Sequence, residues 1–338
     1  MSYTEEIPKQ PLHPSIIPRL DPEYVKFHEG ILQYITPPHT LPWNPALRNA
    51  PAVPGSTEPL QVGKTQDFDL THTNMRAFTP EGEAPSTGWP VFIFFHGGGW
   101  TFGSITSEAT FATNMCVRAN CVVISVNYRL APEQKYPIAV EDAVESLQWV
   151  LKNGKIELNC DTAKIAVGGS SSGGNLAAIL ALKAVEPSFT PQLPSPLVFQ
   201  LLIVPVTDNT ATDGPGGLWE ENKHTPWLSP ARMNWFKENY LPNKDDWTKW
   251  DASPIFAPIE MLAKTPNAWI GLGELDILKG EGVKYGEKLK EVGVKEVEIV
   301  VYKGGPHPIM AMDGTAVKLG AKLITDAAIA LSKAFDKV

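Results

Sequence analysis

The chain has 338 residues, 43% of them hydrophobic and 20% charged, and a net charge of −8 at neutral pH. That composition supplies a large buried core, while the acidic balance with no basic stripe argues against nucleic acid as a partner. The longest apolar runs are too short to span a bilayer, so no stable membrane insertion is expected. The three cysteines, Cys116, Cys121 and Cys160, match no zinc or Cys-x-x-Cys spacing. Their sparse count fits a reducing compartment. The first ten residues, MSYTEEIPKQ, carry no basic region followed by an apolar one, so a cytoplasmic location is the expectation.

Residues 1–60 are proline-rich. Tyr24, Phe27, Ile31 and Tyr34 recur at helical spacing and predict a helix within 21–34. The prolines between residues 36 and 60 predict extended chain. Trp43 and the neighbouring aromatic residues make this segment too apolar for a free tail, so 1–59 is read as part of a lid. Runs 62–70 and 73–78 read as early strands, and 90–95 as the strand that feeds His96-Gly97-Gly98-Gly99-Trp100. A helix is expected over 107–119 and a strand over 121–126. Pro137 suits a first helical turn, and Val140, Val144, Leu147 and Leu151 form an apolar helix stripe. Ile165-Ala166-Val167 is a strand core that runs into Gly169-Ser170-Ser171-Ser172-Gly173, and a helix follows from Asn175. Residues 197–204 form the next strand.

Residues 206–252 then interrupt the alternation. They hold five of the ten tryptophans, Trp219, Trp227, Trp235, Trp247 and Trp250. A helix is expected over 229–240, with Ser229 as its N-cap before Pro230. With 1–59 this insertion is read as a cap over an apolar pocket, and Trp219 and Trp227 are its expected substrate contacts. Strands over 269–272 and 297–302 flank a helix over 282–292. Val317, Ile324, Leu331 and Phe335 give a last helix one apolar face. Alternating strands and helices predict an α/β fold with a mostly parallel sheet covered on both sides. The core comprises 60–205 and 253–338.

Strand, Gly-x-Ser-x-Gly, helix is the arrangement of a nucleophile elbow. Only Ser171 of the three adjacent serines has glycine two residues away on both sides. The glycines of the HGGG stretch suit backbone N–H groups that converge on a developing oxyanion. Loop and elbow together resemble the paired motifs of α/β-hydrolases, in which an acid and then a histidine follow the serine. Two histidines follow Ser171. His307 lies just past a strand, where such a base belongs, whereas His224 sits in a polar surface stretch. Glu274 and Asp276 both end the preceding strand, and either could hold the imidazole. Arg129 and Glu133 read as anchors of the loop around Tyr128.

The HGGGW loop, the elbow followed by Gly173-Gly174-Asn175-Leu176-Ala177, Tyr128-Arg129-Leu130-Ala131-Pro132-Glu133, and Asp276 before Ile277-Leu278 resemble the hormone-sensitive-lipase-like group of α/β-hydrolases. The likeness runs in order from about residue 60 to 338, and the phrasing is similar to fungal esterase-like members. It implies an α/β-hydrolase fold with a helical cap, and a serine esterase with Ser171 as nucleophile, His307 as base and Asp276 as acid. It implies an oxyanion hole from Gly97, Gly98 and Ser172, with Trp100 beside the acyl pocket. No metal or organic cofactor is expected. The implied substrate is a small to medium, apolar small-molecule ester, with an acylated secondary metabolite in view. A lyase, dehydratase or cyclase on the same pocket, a transacylase, and a ligand-binding receptor without catalysis are the rival readings. A homodimer is left open. The chain departs from the group at Ser170, where an aspartate is usual, at Ser172, at Pro308-Ile309 and at Gly280.

Overall fold

In the computed structural model, which describes residues 7–49, 54–313 and 317–336 without the side chain of Pro308, eight strands form one sheet. Residues 1–6 of the N-terminal reading and 50–53 of the proline-rich stretch lie outside the described residues. The strands are β1 (Lys64–Asp69), β2 (Asn74–Thr79), β3 (Trp89–Phe95), β4 (Val122–Val126), β5 (Cys160–Ser170), β6 (Phe199–Ile203), β7 (Asn267–Leu275) and β8 (Val297–Pro306). Their spatial order is β1-β2-β4-β3-β5-β6-β7-β8. β1 pairs antiparallel with β2 and β2 with β4, and every other neighbouring pair is parallel.

The helices are α1 (Pro22–Gly30), α2 (Ala109–Arg118), α3 (Ile138–Leu158), α4 (Ser172–Lys183), α5 (Pro230–Tyr240), α6 (Ile259–Leu262), α7 (Lys279–Glu291) and α8 (Lys318–Asp336). The side chains of a strand alternate between faces, and the core divides accordingly. Val91, Ile93 and Phe95 of β3 pack with residues of α3, α4 and α7. Phe92 and Phe94 pack on the other face with Phe111 and Met115 of α2 and with Leu323, Leu331 and Phe335 of α8. The near-continuous apolar runs of β3 and β4 are what a sheet buried on both sides requires.

Two local expectations change. The helix expected over 21–34 ends at Gly30, and a separate 3₁₀ turn spans Leu32–Tyr34. Between residues 36 and 49 the chain is more compact than extended, with 3₁₀ turns at Pro38–Thr40 and Pro45–Asn49. Proline's fixed φ suits a 3₁₀ turn as well as extended chain, so composition alone does not separate them.

Residues 206–252 contribute no strand to the sheet. Asn175 of α4 ties both ends of this stretch, because its Nδ2 donates to the carbonyls of Val206 and Ala252, each at 2.9 Å. The N-terminal segment lies against the same stretch. Trp43 packs on Trp235 with ring centroids 6.0 Å apart, His13 stacks on His224 at 4.0 Å, and Arg19 pairs with Glu221 at 3.5 Å.

Candidate active site

Parallel strands deliver their loops to one edge of the sheet, and the predicted site residues meet there. β5 ends at Ser170 and α4 begins at Ser172, so Ser171 alone makes the turn. Its backbone is at φ 54° and ψ −117°, a conformation that a side chain rarely adopts. The Ser171 N–H donates to the carbonyl of Ile203 at 2.8 Å and holds the turn in place. Ser171 keeps part of its surface exposed, while Ser170 and Ser172 are buried.

His307 Nε2 lies 3.0 Å from Ser171 Oγ, and His307 Nδ1 lies 2.7 Å from Asp276 Oδ2. Asp276 is buried, and its other oxygen accepts the Leu278 N–H at 2.9 Å. A carboxylate held in this way fixes the ring with Nδ1–H toward it and leaves Nε2 free to accept from the serine hydroxyl. Glu274 is turned elsewhere and accepts the Gly304 N–H at 2.7 Å. Of the two carboxylates, Asp276, the one the resemblance implies, is the one that meets His307. Asn222 secures the acid-bearing loop, donating to the carbonyls of Glu274 at 2.9 Å and Asp276 at 2.8 Å, and the Thr225 hydroxyl donates to the carbonyl of Leu275. His224 is exposed, as read.

The HGGG loop follows β3. His96 is buried, stacks on Tyr128 with centroids 4.3 Å apart, and points Nδ1 at the carbonyl of Gly97, 2.7 Å away. Burial lowers its pKa to about 4, so it is neutral and Nδ1–H is the donor. The Tyr128 hydroxyl donates to the His96 carbonyl at 2.9 Å. Gly98 and Gly99 have φ of 123° and 60°, which favour glycine. Among the described residues neither of their N–H groups meets an acceptor. The N–H of Ser172, at the first turn of α4, has no partner within the helix.

One expected donor is otherwise engaged. The Gly97 N–H points at Glu108 Oε1, 3.2 Å away, and the same oxygen accepts the Ser170 hydroxyl at 2.7 Å. A donor committed to a buried carboxylate is not free for an oxyanion, so Gly99 replaces Gly97 among the open N–H groups. Glu108 escapes a sequence reading because it stands in a polar stretch before a helix. The one signal for it is Ser170, whose hydroxyl sits where relatives are expected to carry an acid.

The expected tryptophan contacts also change. Trp100 and Trp219 are 0% exposed and so offer a ligand no surface. Trp100 stacks on Tyr240 of α5 with centroids 4.6 Å apart, and Trp219 donates from Nε1 to Glu281 Oε2 at 3.0 Å. Trp227 keeps some exposure and lies under the Arg232 guanidinium at 4.9 Å. The aromatic surface beside the glycine loop comes instead from Trp43, Phe102, Trp235 and Phe236. A Cβ on Gly99 would lie 2.2 Å from the Phe236 ring. Arg129 and Glu133 are anchors, as read, with different partners. Arg129 pairs with buried Asp142 at 2.7 Å, and Glu133 with Arg48 at 2.5 Å.

Glu108 yields a stability prediction. Burial raises its carboxyl from 4.5 to about 7, against the hydrogen bonds from Ser170 and Gly97. Between those two values the folded chain binds more protons at this group than the unfolded chain. Its contribution to stability is therefore full below pH 4.5 and is lost as pH rises through 7, by on the order of 3 kcal/mol once ionised. Glu108→Gln removes that dependence. The melting temperature of Glu108→Gln minus that of the native chain should increase steadily from pH 5 to pH 8, and a flat difference would refute the assignment.

A family model described as the alpha/beta hydrolase fold matches residues 92–311, which span the glycine loop, the elbow, Asp276 and His307. An AB hydrolase superfamily protein of Schizosaccharomyces pombe is 42% identical over 99% of this chain and 100% of its own length. The carboxylesterase NlhH of Mycobacterium tuberculosis is 36% identical over 68% of this chain and 70% of its own. A thermostable esterase of Pseudomonas putida superposes with a TM-score of 0.83 at 29% identity, covering 94% of this chain and 98% of that one. The chain belongs to the α/β-hydrolase fold family, in its hormone-sensitive-lipase-like, carboxylesterase class.

Proposed function

We propose that the protein hydrolyses carboxylic esters through Ser171, His307 and Asp276. The observation that carries this is the pair of hydrogen bonds, 3.0 Å from Ser171 to His307 and 2.7 Å from His307 to Asp276, on a serine held in a strained turn. Ser171 Oγ attacks the ester carbonyl while His307 Nε2 takes its proton. Asp276 stabilises the imidazolium that forms. The N–H groups of Gly98, Gly99 and Ser172 receive the oxyanion, and one such donor is worth about 3 kcal/mol in comparable enzymes. His307 then returns the proton to the departing alcohol, and water enters by the same route in reverse to release the acid. None of these steps requires a group beyond the chain and water.

Residues 206–252 and the N-terminal segment form the cap in this reading. Trp43, Phe102, Trp235 and Phe236 favour an ester of small to medium size with an apolar body. A fluorophosphonate followed by mass spectrometry tests the nucleophile, and p-nitrophenyl esters from acetate to decanoate size the pocket. One adduct on Ser171 together with turnover of the short esters is the expected result. A folded protein that takes no adduct and turns over no ester would refute the reading.

A further inference from the structure

We infer that the cap carries a carboxylate-recognition site built on Arg232, which makes the preferred substrate an ester with an apolar body and one free carboxylate. This inference rests on the ester-hydrolase reading and narrows its substrate class. Arg232 sits in the first turn of α5 and is only 3% exposed, yet no described carboxylate pairs with it. Among the described residues its side chain makes one hydrogen bond and one ring contact. Nε reaches His39 Nδ1 at a long 3.5 Å, and the guanidinium lies over the Trp227 ring at 4.9 Å. The two terminal nitrogens have no acceptor among the described residues, but they are not sealed from solvent.

A buried charge without a partner is costly. Burial lowers the pKa of Arg232 only to about 10, so the group stays cationic at neutral pH. The neighbouring groups do not offset it. Tyr24 is buried beside it with its hydroxyl directed at His28 Nδ1, 3.3 Å away, and burial together with the Arg232 charge lowers the pKa of His39, keeping it neutral. Two free terminal nitrogens in one plane match the two oxygens of a carboxylate.

The surrounding anchors place this fork in the part of the cap that adjoins the catalytic groups. Phe236, one turn further along the same face of α5, touches the glycine loop at Gly99. Trp227 follows directly on the stretch that Asn222 and Thr225 fasten to the Asp276 loop. Tyr24 packs with Leu275 and with Met312, the last residue of the turn that begins at His307. An ester carbonyl at Ser171 with a short apolar spacer would thus present its far end to Arg232.

The test compares three p-nitrophenyl esters of matched length: the monoester of glutaric acid, its neutral methyl-ester counterpart and a cationic amino-acyl counterpart. The native protein should favour the anion over the neutral ester in kcat/KM by roughly tenfold or more, as hydrogen bonds to a charged group allow, and should handle the cation worst. Arg232→Met should collapse the anion-to-neutral ratio toward unity, and Arg232→Lys should keep part of it. The ratio is what is read, so a general loss of rate in either variant does not decide the outcome. Native protein without the preference, or Arg232→Met with it intact, would overturn the inference. Calorimetry on Ser171→Ala with monoethyl glutarate and diethyl glutarate gives the same comparison without turnover. Equal binding there counts against the Arg232 site even when the esterase works, whereas tighter binding of the monoester in a chain that hydrolyses nothing would retain the site and refute only the esterase reading.

Discussion

Alanine in place of Ser171 should lower kcat for p-nitrophenyl acetate by roughly 10⁴–10⁶, with little change in melting temperature. The oxygen that would bond to the acyl carbon is gone, and nothing nearby replaces it. Ser170 Oγ is bound to Glu108, and Ser172 Oγ is buried at 3.3 Å from the Tyr128 hydroxyl. Three serines in a row therefore do not amount to three candidate nucleophiles. His307→Ala should cost a similar factor, and the double variant should be hardly worse than either single one, because each removes the same proton-coupled attack. Residual hydrolysis would come from substrate binding and the open N–H groups alone. Kinetics on the three variants, each checked for folding by circular dichroism, decide the matter. A Ser171→Ala protein that kept a large share of its ester turnover would refute Ser171 as the nucleophile.

The parts of this site that are legible in the sequence are those encoded by local chemistry. An apolar run followed by glycine, a serine with flanking glycines and a small-residue run favour strand, turn and helix, so β5, Ser171 and α4 follow in the expected order, with α4 starting at Ser172 rather than Asn175. The parts that escape are set by distant partners. Spacing alone does not separate Glu274 from Asp276, and it is the resemblance that favours Asp276; in the fold Gly304 from β8 occupies Glu274 and leaves Asp276 for His307. Trp100 and Trp219 look like pocket aromatics because the loop and the 206–252 stretch around them are rich in rings, yet Tyr240 and Glu281 draw both into the interior. Gly97 loses its expected part to Glu108, which lies 11 residues downstream on a different element. Arg232 reads as one more polar residue on a helix until its burial without a counter-ion becomes visible. Period and motif identify the frame and the groups that meet at the candidate site, and the partner each polar atom finds across the fold decides the rest.

Gly173→Ala should be the most damaging single methyl added to this chain. A Cβ there would stand 1.9 Å from the carbonyl oxygen of Phe95 and 2.5 Å from that of His96. Both atoms are backbone, fixed at the end of β3 where the glycine loop begins, so no rotamer change makes room. Either α4 or the loop after β3 must move, at a cost of about 3 kcal/mol or more and several degrees of melting temperature. The contrast is Gly30→Ala at the end of α1, where an added Cβ meets nothing within 4 Å. That change should be neutral or mildly stabilising, since alanine suits a helix better than glycine. If the two variants melt together, the close approach at the elbow is not rigid. The damage at Gly173 should also exceed what stability accounts for. The Ser172 N–H sits one residue before Gly173 and the Gly98 N–H two residues after His96, so a methyl wedged between their backbones spreads the very donors that must meet on one oxygen. Ester turnover in whatever fraction of Gly173→Ala folds should fall by at least roughly tenfold, as removal of an oxyanion donor does. On the proposed mechanism, the glycine that lets α4 press against β3 is part of the oxyanion geometry, although it touches no substrate.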